Sequence, residues 1–212
     1  MVALNAIEAN SRRLYLEALE ALEVKHFATS TALAIFSFEE AAKYVILKRE
    51  SKRPELPKKR VFRHEVKHEE MGELFWYWAI FSVLTKTFED FKAFTSTLPE
   101  PDPKVMKMIN GLSGGDAVDF LRYSMFATEE EMREHVRKKF PHPELLSVAT
   151  AGSTGQIELI RRRALYVDPA PDLQSVLSSP QSIDQEEAKE WLKIAFFGQE
   201  YVKLAKRIWN EI

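Results

Sequence analysis

Two charged clusters, separated by a short loop, are the residues of this chain best suited to chemistry. Glu39, Glu40 and Lys43 interrupt an otherwise apolar stretch, and the segment 62–68 (FRHEVKH) follows the loop. Apolar helices rarely bury adjacent carboxylates or a lysine unless those charges are paired or reactive. Histidine titrates near neutral pH and can move a proton, whereas arginine and lysine hold phosphate groups. The two clusters are therefore predicted to meet in one site.

The two adjacent glutamates are expected to play different parts. Neighbouring residues on a helix point roughly 100° apart, so at most one of Glu39 and Glu40 faces inward. We expect Glu40 to face inward, where it orients His64 or pairs with Arg63. Glu39 and Lys43 are spaced i,i+4 and form an ion pair typical of a helix surface. The alternative is that both glutamates are solvated.

The elements that must position these clusters are helices. Glycine is scarce, at 7 residues, and alternating strand patterns are scarce too. Apolar residues recur at the helical period, and the last helix is preceded by a capping box formed by Asp184 and Glu187. The predicted helices run from about Leu4 to Val24, from about Phe27 to Lys48, from about Phe62 to Phe94, and from about Asp184 to the end of the chain. The fold class predicted is all-α, a helical bundle.

The middle of the chain departs from this regular pattern. Prolines at 99, 101 and 103 end the third helix, and the region of about 99–155 is predicted to be an insertion or lid within a single domain of residues 1–212. Thr128 and Glu131 form a capping box inside it, and residues 151–155 are expected to be flexible. Near Tyr166 the chain is predicted to be extended, because Pro169 disfavours helix before it.

Composition narrows the function classes. The absence of cysteine excludes disulfides, thiol nucleophiles and cysteine-based zinc sites. The net charge of −2 means that any nucleic-acid-binding surface must be a local patch. No signal peptide is recognisable in the first residues and no apolar run is long enough to span a bilayer. We therefore expect a cytoplasmic location and no membrane partner.

Four motifs in a fixed order carry a resemblance to a known family. Glu39-Glu40-x-x-Lys43 is followed by Phe62-x-His64-x-x-Lys67, then by residues 163–168 (RALYVD), and then by Pro180-x-x-Ile183 with Ala188 on the last helix. The chain resembles the AbiV-type abortive infection family, within the HEPN-like helical domains. It departs from the family pattern at Ala41 and Ala42, where a glycine usually precedes the lysine. The resemblance covers most of the chain except about 99–155. It implies phage defence and, from the wider HEPN group, metal-independent RNA cleavage at a homodimer interface without a cofactor.

The resemblance also suggests which residues react. HEPN-type ribonucleases resemble one another in an Arg-x(4–6)-His pattern, which Arg63 and His68 fit with four intervening residues. Position in the family pattern favours His64 and Lys67 instead, and both pairs stay open. In either pair the histidine would deprotonate the ribose 2′-OH and the cation would stabilise the phosphorane. The predicted catalytic set is Arg63, His64, Lys67, His68 and Glu40.

A basic surface is predicted beside this set. Lysine and arginine outnumber glutamate from Lys48 to Lys67, and three arginines follow at 161–163. Such a surface would bind the phosphate backbone of RNA. The predicted binding residues are Glu39, Lys43, Lys58, Lys59, Arg60, Arg161 and Arg163. A phage or antitoxin protein is a further possible partner.

Three other interpretations are open. Glu40, His64 and His68 would supply three ligands for a metal ion, although no His-Glu-x-x-His repeat supports such a site. The bundle would otherwise be a non-catalytic module that binds a protein partner and blocks translation, or a nucleotide-sensing domain. The enzyme hypothesis requires a histidine beside a cation in a cleft. The interaction module predicts that both histidines point into solvent and that an apolar patch is exposed.

Overall fold

The computed structural model describes residues 2–50, 63–95, 103, 107, 110–112, 114–166, 168–169 and 176–210. Its helices are α1 (Val2–Glu23), α2 (Phe27–Glu50), α3 (His64–Thr95), α4 (Gly114–Met125), α5 (Glu129–Lys139), α6 (Pro143–Thr154), α7 (Gln156–Leu165) and α8 (Gln185–Asn210). Two short strands, β1 (Asp168–Pro169) and β2 (Val176–Ser178), pair antiparallel, and a 3₁₀ turn covers Pro180–Ser182. The prediction of an all-α bundle with an extended segment near Tyr166 is confirmed.

The junction of α1 and α2 is a tight turn closed by the backbone. Lys25 adopts a left-handed conformation with φ of 61°. Its N–H donates to the carbonyl of Leu22 over 3.0 Å, and the N–H of His26 donates to the carbonyl of Ala21 over 2.8 Å. These two bonds form a Schellman motif, which satisfies carbonyls at the end of a helix and reverses the chain. The helices predicted to end near Val24 and to begin near Phe27 meet at this turn.

Helix α2 packs against both α1 and α8, and its buried face carries Ile35 and Phe38. A buried polar network sets the register of the three helices. The hydroxyl of Ser11 donates to the carbonyl of Ser37 over 2.6 Å, and the hydroxyl of Ser37 donates to the carbonyl of Ser11 over 2.8 Å. Gln199 of α8 donates from Nε2 to both hydroxyls. Sliding one helix past another would leave these buried groups unpaired, which is costly.

The chain divides into two compact units, one of Met1–Gly72 with Ser147–Ile212 and one of Glu73–Leu146. The second unit has its own core, which contains Leu84, Phe88, Leu121 and Met132. The predicted capping box in it is confirmed, because Thr128 and Glu131 exchange side-chain-to-backbone hydrogen bonds. The prediction of a single domain with an insertion at about 99–155 stays a prediction.

None of the helices in the described ranges is both long and apolar enough to cross a membrane. Helix α2 has 24 residues, the length that a bilayer requires, but it carries Glu39, Glu40 and Lys43 in its centre. Charged side chains at that depth are rare in membrane-spanning helices. The cytoplasmic location stays a prediction.

Candidate active site

The carboxylate of Glu39 on α2 lies within hydrogen-bonding distance of three nitrogen atoms from the first turns of α3. His64 contacts Glu39 through Nδ1 and Oε2 at 2.6 Å, and His68 contacts it through Nε2 and Oε1 at 2.9 Å. Lys67 donates from Nζ to Oε2 over 3.0 Å. We call these four residues the Glu39 cluster. The predicted meeting of the two charged segments is confirmed.

The glutamate that faces inward is not the one that was predicted. Glu40 forms an i,i+3 ion pair with Lys43 on α2, and it is Glu39 that pairs with the described residues of the segment 63–68. The prediction that Glu40 orients His64 or pairs with Arg63 is therefore wrong, and so is the predicted pairing of Glu39 with Lys43. The reason is rotational, since a step of one residue turns a side chain by roughly 100°. Packing of α2 against α1 and α8 directs Glu39, and not Glu40, toward α3.

Helix α3 presents its three donors on one face because of their spacing. His64, Lys67 and His68 stand at i, i+3 and i+4, so their side chains lie on neighbouring turns. The two imidazole rings are 6.4 Å apart between centroids. Arg63 immediately precedes the helix, and its side chain is 68% exposed, with Glu65 at 3.7 Å from its Nε. The predicted residues Arg63 and His64 are thus at the surface, whereas Lys67 and His68 are buried.

Helix α6 holds α3 in place through two glycines that permit close backbone contact. A Cβ added at Gly152 would lie 2.4 Å from the carbonyl oxygen of His68, and one at Gly72 would lie 2.8 Å from that of Ala149. These separations are shorter than any side chain allows, so both positions require glycine. The prediction that residues 151–155 are flexible is wrong, because α6 continues to Thr154. Only Gly155, with φ of 74°, breaks the helix.

The charge state of Glu39 determines the tautomers of both histidines. Burial alone would raise the pKa of Glu39, but the hydrogen bond from His68 and the positive charge of Lys67 outweigh it and lower the pKa to about 2. Glu39 is therefore an ionised carboxylate at neutral pH, and a carboxylate only accepts hydrogen bonds. The two ring nitrogens that face Glu39, Nδ1 of His64 and Nε2 of His68, must therefore each carry a hydrogen atom.

Exposure separates the two histidines. The side chain of His68 is 1% exposed and that of Lys67 is 5% exposed, while that of His64 is 40% exposed. In its neutral form His64 keeps a lone pair on Nε2, because Nδ1 donates to Glu39. Among the four residues of the Glu39 cluster, His64 is the one whose ring can reach a molecule in solution. The arrangement is that of a proton acceptor oriented by a carboxylate.

Helix α7 lies beside the Glu39 cluster. Arg161 donates from Nε and Nη2 to the two carboxylate oxygens of Glu158 over 2.8 and 2.6 Å. Its guanidinium also lies 5.9 Å from the centre of the Phe36 ring, one helical turn before Glu39 on α2. Arg163 instead forms an ion pair with Glu187 of α8. The predicted binding residues Lys58, Lys59 and Arg60 lie outside the described residues.

The metal interpretation placed Glu40 together with the two histidines, and the structure separates them. Glu39, and not Glu40, lies beside the two histidines. Both of its oxygens accept hydrogen bonds from nitrogen donors, and one of these donors is the ammonium of Lys67. Within the described ranges, no group of three or more His, Asp or Glu side chains is arranged to hold a metal ion.

Two features of the site were missed at the level of sequence. Glu158 was not singled out, although its spacing of three residues from Arg161 is visible in the sequence and is typical of a helical ion pair. Gly152 was assigned to a flexible segment, because a glycine that permits helix packing and one that loosens a loop look alike in a single sequence.

The chain matches one family model over nearly its whole length. The model is HEPN_AbiV, described as AbiV, and the match covers residues 2–199. The matched range includes every residue of the Glu39 cluster as well as Glu158 and Arg161. A search of curated proteins and a search of solved structures each found no match.

Proposed function

We propose that this chain, which belongs to the AbiV family of HEPN-type abortive-infection proteins, is an antiphage effector. In this proposal it cleaves RNA without a metal ion. The observation that carries this proposal is His64, an exposed histidine whose Nδ1 contacts a buried, ionised glutamate at 2.6 Å. A histidine held by a carboxylate in this way is suited to general base catalysis.

His64 takes the proton in this mechanism. Its Nε2 accepts hydrogen from a ribose 2′-OH while Nδ1–H stays bonded to Glu39. The 2′-oxygen then attacks the adjacent phosphorus, and the bond from phosphorus to the 5′-oxygen breaks as that oxygen takes up a proton from water, while His64 later returns its proton to the solvent. The products are a 2′,3′-cyclic phosphate and a 5′-hydroxyl. Glu39 balances the positive charge that develops on the imidazole.

Arg63 supplies the cation for the phosphorane. It is adjacent to His64 in sequence and its side chain is 68% exposed, so its planar guanidinium can exchange the exposed carboxylate of Glu65, 3.7 Å from its Nε, for a phosphate. Lys67 was the other predicted cation, but its ammonium is buried and bonded to Glu39. Lys67 and His68 are positioning residues, because they hold Glu39 ionised and in place.

Cleavage of RNA in the presence of EDTA tests the proposal. Wild-type protein is expected to yield fragments that end in a cyclic phosphate, and His64→Ala is expected to be slower by roughly a hundredfold to ten-thousandfold. His26→Ala is the matched control, since His26 lies in the α1–α2 turn, where its backbone N–H donates to Ala21 and its carbonyl accepts from Ser30, and alanine keeps both groups. The proposal fails if wild type cleaves no RNA under these conditions or if His64→Ala keeps the wild-type rate.

A second candidate is the interaction module. Exposed aromatic residues in the second unit favour it, whereas its prediction that both histidines point into solvent is wrong for the buried His68. Tyr77 and Phe81 stand at i and i+4 on α3 with 68% and 45% exposure, and Tyr123 of α4 is 79% exposed. Exposed aromatic groups are typical of protein-binding surfaces. Growth arrest in cells separates the candidates. Toxicity that survives His64→Ala and is lost in Tyr77→Ser with Phe81→Ser would favour the interaction module.

A further inference from the structure

Arg161 is a second cation next to the Glu39 cluster. Phe36 and Glu39 are three residues apart on α2 and so lie on one face of it. The Arg161 guanidinium, 5.9 Å from the centre of the Phe36 ring, therefore reaches the same side of α2 as the carboxylate that holds His64. Its side chain is only 16% exposed, which limits the positions that the guanidinium can adopt.

The planar fork of Arg161 is already filled. Nε and Nη2 each donate to a different oxygen of Glu158, which is the bidentate geometry that arginine also uses with phosphate. Carboxylate and phosphate present equivalent oxygen pairs to such a fork. The Glu158 carboxylate thus occupies the position that a phosphate bound to Arg161 would take.

The electrostatic surroundings of Glu158 differ from those of an ordinary helical ion pair. The hydrogen bond from Arg161 lowers the pKa of Glu158 against the effect of burial, and the charges of His64 and His68 lower it further. The pKa of Arg161 is raised by its hydrogen bond to Glu158 and also by the charge of Glu39. Arg161 and, in their protonated forms, the two histidines of α3 therefore act on this one carboxylate.

We propose that Arg161 is a second phosphate-binding residue of this site and that Glu158 occupies its guanidinium until an RNA phosphate displaces it. The inference rests on the proposed function for its ligand, an RNA phosphodiester. Glu158 acts as an internal anion that lowers the affinity of the resting protein. Displacing it joins Arg161 to Arg63 and His64 around one phosphate.

Binding of an RNA that cannot be cleaved tests this exchange apart from catalysis. The probe is a fluorescent 2′-O-methyl oligonucleotide, which lacks the attacking hydroxyl, and the readout is fluorescence anisotropy at fixed salt. Glu158→Gln is expected to tighten binding about two- to tenfold, since it frees the guanidinium of Arg161. Arg161→Gln is expected to weaken binding by a similar factor. The double variant should bind like Arg161→Gln, because Glu158 acts through Arg161.

Glu129→Gln is the matched control. Glu129 forms a comparable helical ion pair with Arg133 on α5, and no histidine is among the charges that act on it. It makes the same change in net charge and is expected to leave affinity within about twofold. Circular dichroism and melting curves establish that each variant is folded.

Each outcome decides the proposal. It is overturned if Glu158→Gln does not bind more tightly than Glu129→Gln, or if Glu158→Gln keeps its effect when Arg161 is also replaced. It is also overturned if neither wild type nor Glu158→Gln binds the oligonucleotide or inorganic phosphate. If the binding effects appear but wild type cleaves no RNA, the proposed catalysis fails and the anion exchange stands.

Discussion

Replacing Glu39 by glutamine is the perturbation that tests the site most directly. The substitution keeps the shape of the side chain and removes its charge. It leaves the ammonium of Lys67, which is 5% exposed, without an anionic partner. Its amide nitrogen is itself a donor, and it would face one of the nitrogen donors that bond to the carboxylate in the wild-type protein. Removing one partner of a buried ion pair is strongly destabilising for these reasons.

The magnitude follows from the pKa of Glu39. Folding lowers it from the ordinary value of 4.5 to about 2. Each unit corresponds to about 1.4 kcal/mol, so the ionised form stabilises the folded protein by about 3 kcal/mol relative to the protonated form. A domain is stable by roughly 5–15 kcal/mol in total, and the loss is therefore a large part of the free energy of unfolding.

The sign of the pH dependence follows from the direction of the shift. Because the pKa is lower in the folded state, the stabilisation is fully present above pH 4.5 and is lost as pH falls toward 2. Glu39→Gln has no such group, so the difference in unfolding free energy between the two proteins should shrink in acid. Between about pH 6 and about pH 3.5 it should fall by about 1.4 kcal/mol. Urea unfolding of both proteins at each pH measures it.

Glu40→Gln is the control for this experiment. Glu40 is the next residue on the same helix, and its ion pair with Lys43 is partly buried, with side chains that are 16% and 19% exposed. Its replacement removes the partner of one ammonium and not of three nitrogen donors, so it should lower the unfolding free energy by less than Glu39→Gln does. The reasoning is refuted if Glu39→Gln costs no more than Glu40→Gln at neutral pH, or if its cost is the same at both pH values.

Two further predictions follow from the same contacts, and a third follows from the family resemblance. Gly152→Ala should destabilise the protein by about 1–3 kcal/mol in urea unfolding, because its Cβ meets the His68 carbonyl, whereas Gly115→Ala, where a Cβ meets nothing, should be neutral or slightly stabilising. An equal cost for both would contradict this packing argument. Lys67→Met should raise the pKa of Glu39 and so move acid unfolding to higher pH, and an unchanged acid midpoint would count against the role given to Lys67. We expect a homodimer in light scattering, and a monomer at high concentration would reject that expectation.

The sequence alone was enough to predict the helices that carry the site. Apolar spacing over ten or more residues is a strong signal, and α2 and α3 begin and end within a few residues of their predicted limits. The face shared by His64, Lys67 and His68 also follows from their spacing alone, because i, i+3 and i+4 residues are neighbours on any helix. Local geometry decides these features, so they can be read from a single chain.

Tertiary structure decided which carboxylate meets that face. Phe36 and Phe38 both lie just before Glu39 and Glu40 in the sequence. These neighbours did not indicate which of the two glutamates faces inward. The choice depends on how far α2 is rotated when it packs against α1 and α8. The depth of each histidine is likewise set from outside its helix, since close contact at Gly152 buries His68 and leaves His64 at the surface. The rotation of a helix and its distance from its neighbours are set by packing in the bundle, so the spacing of residues within one helix does not predict them.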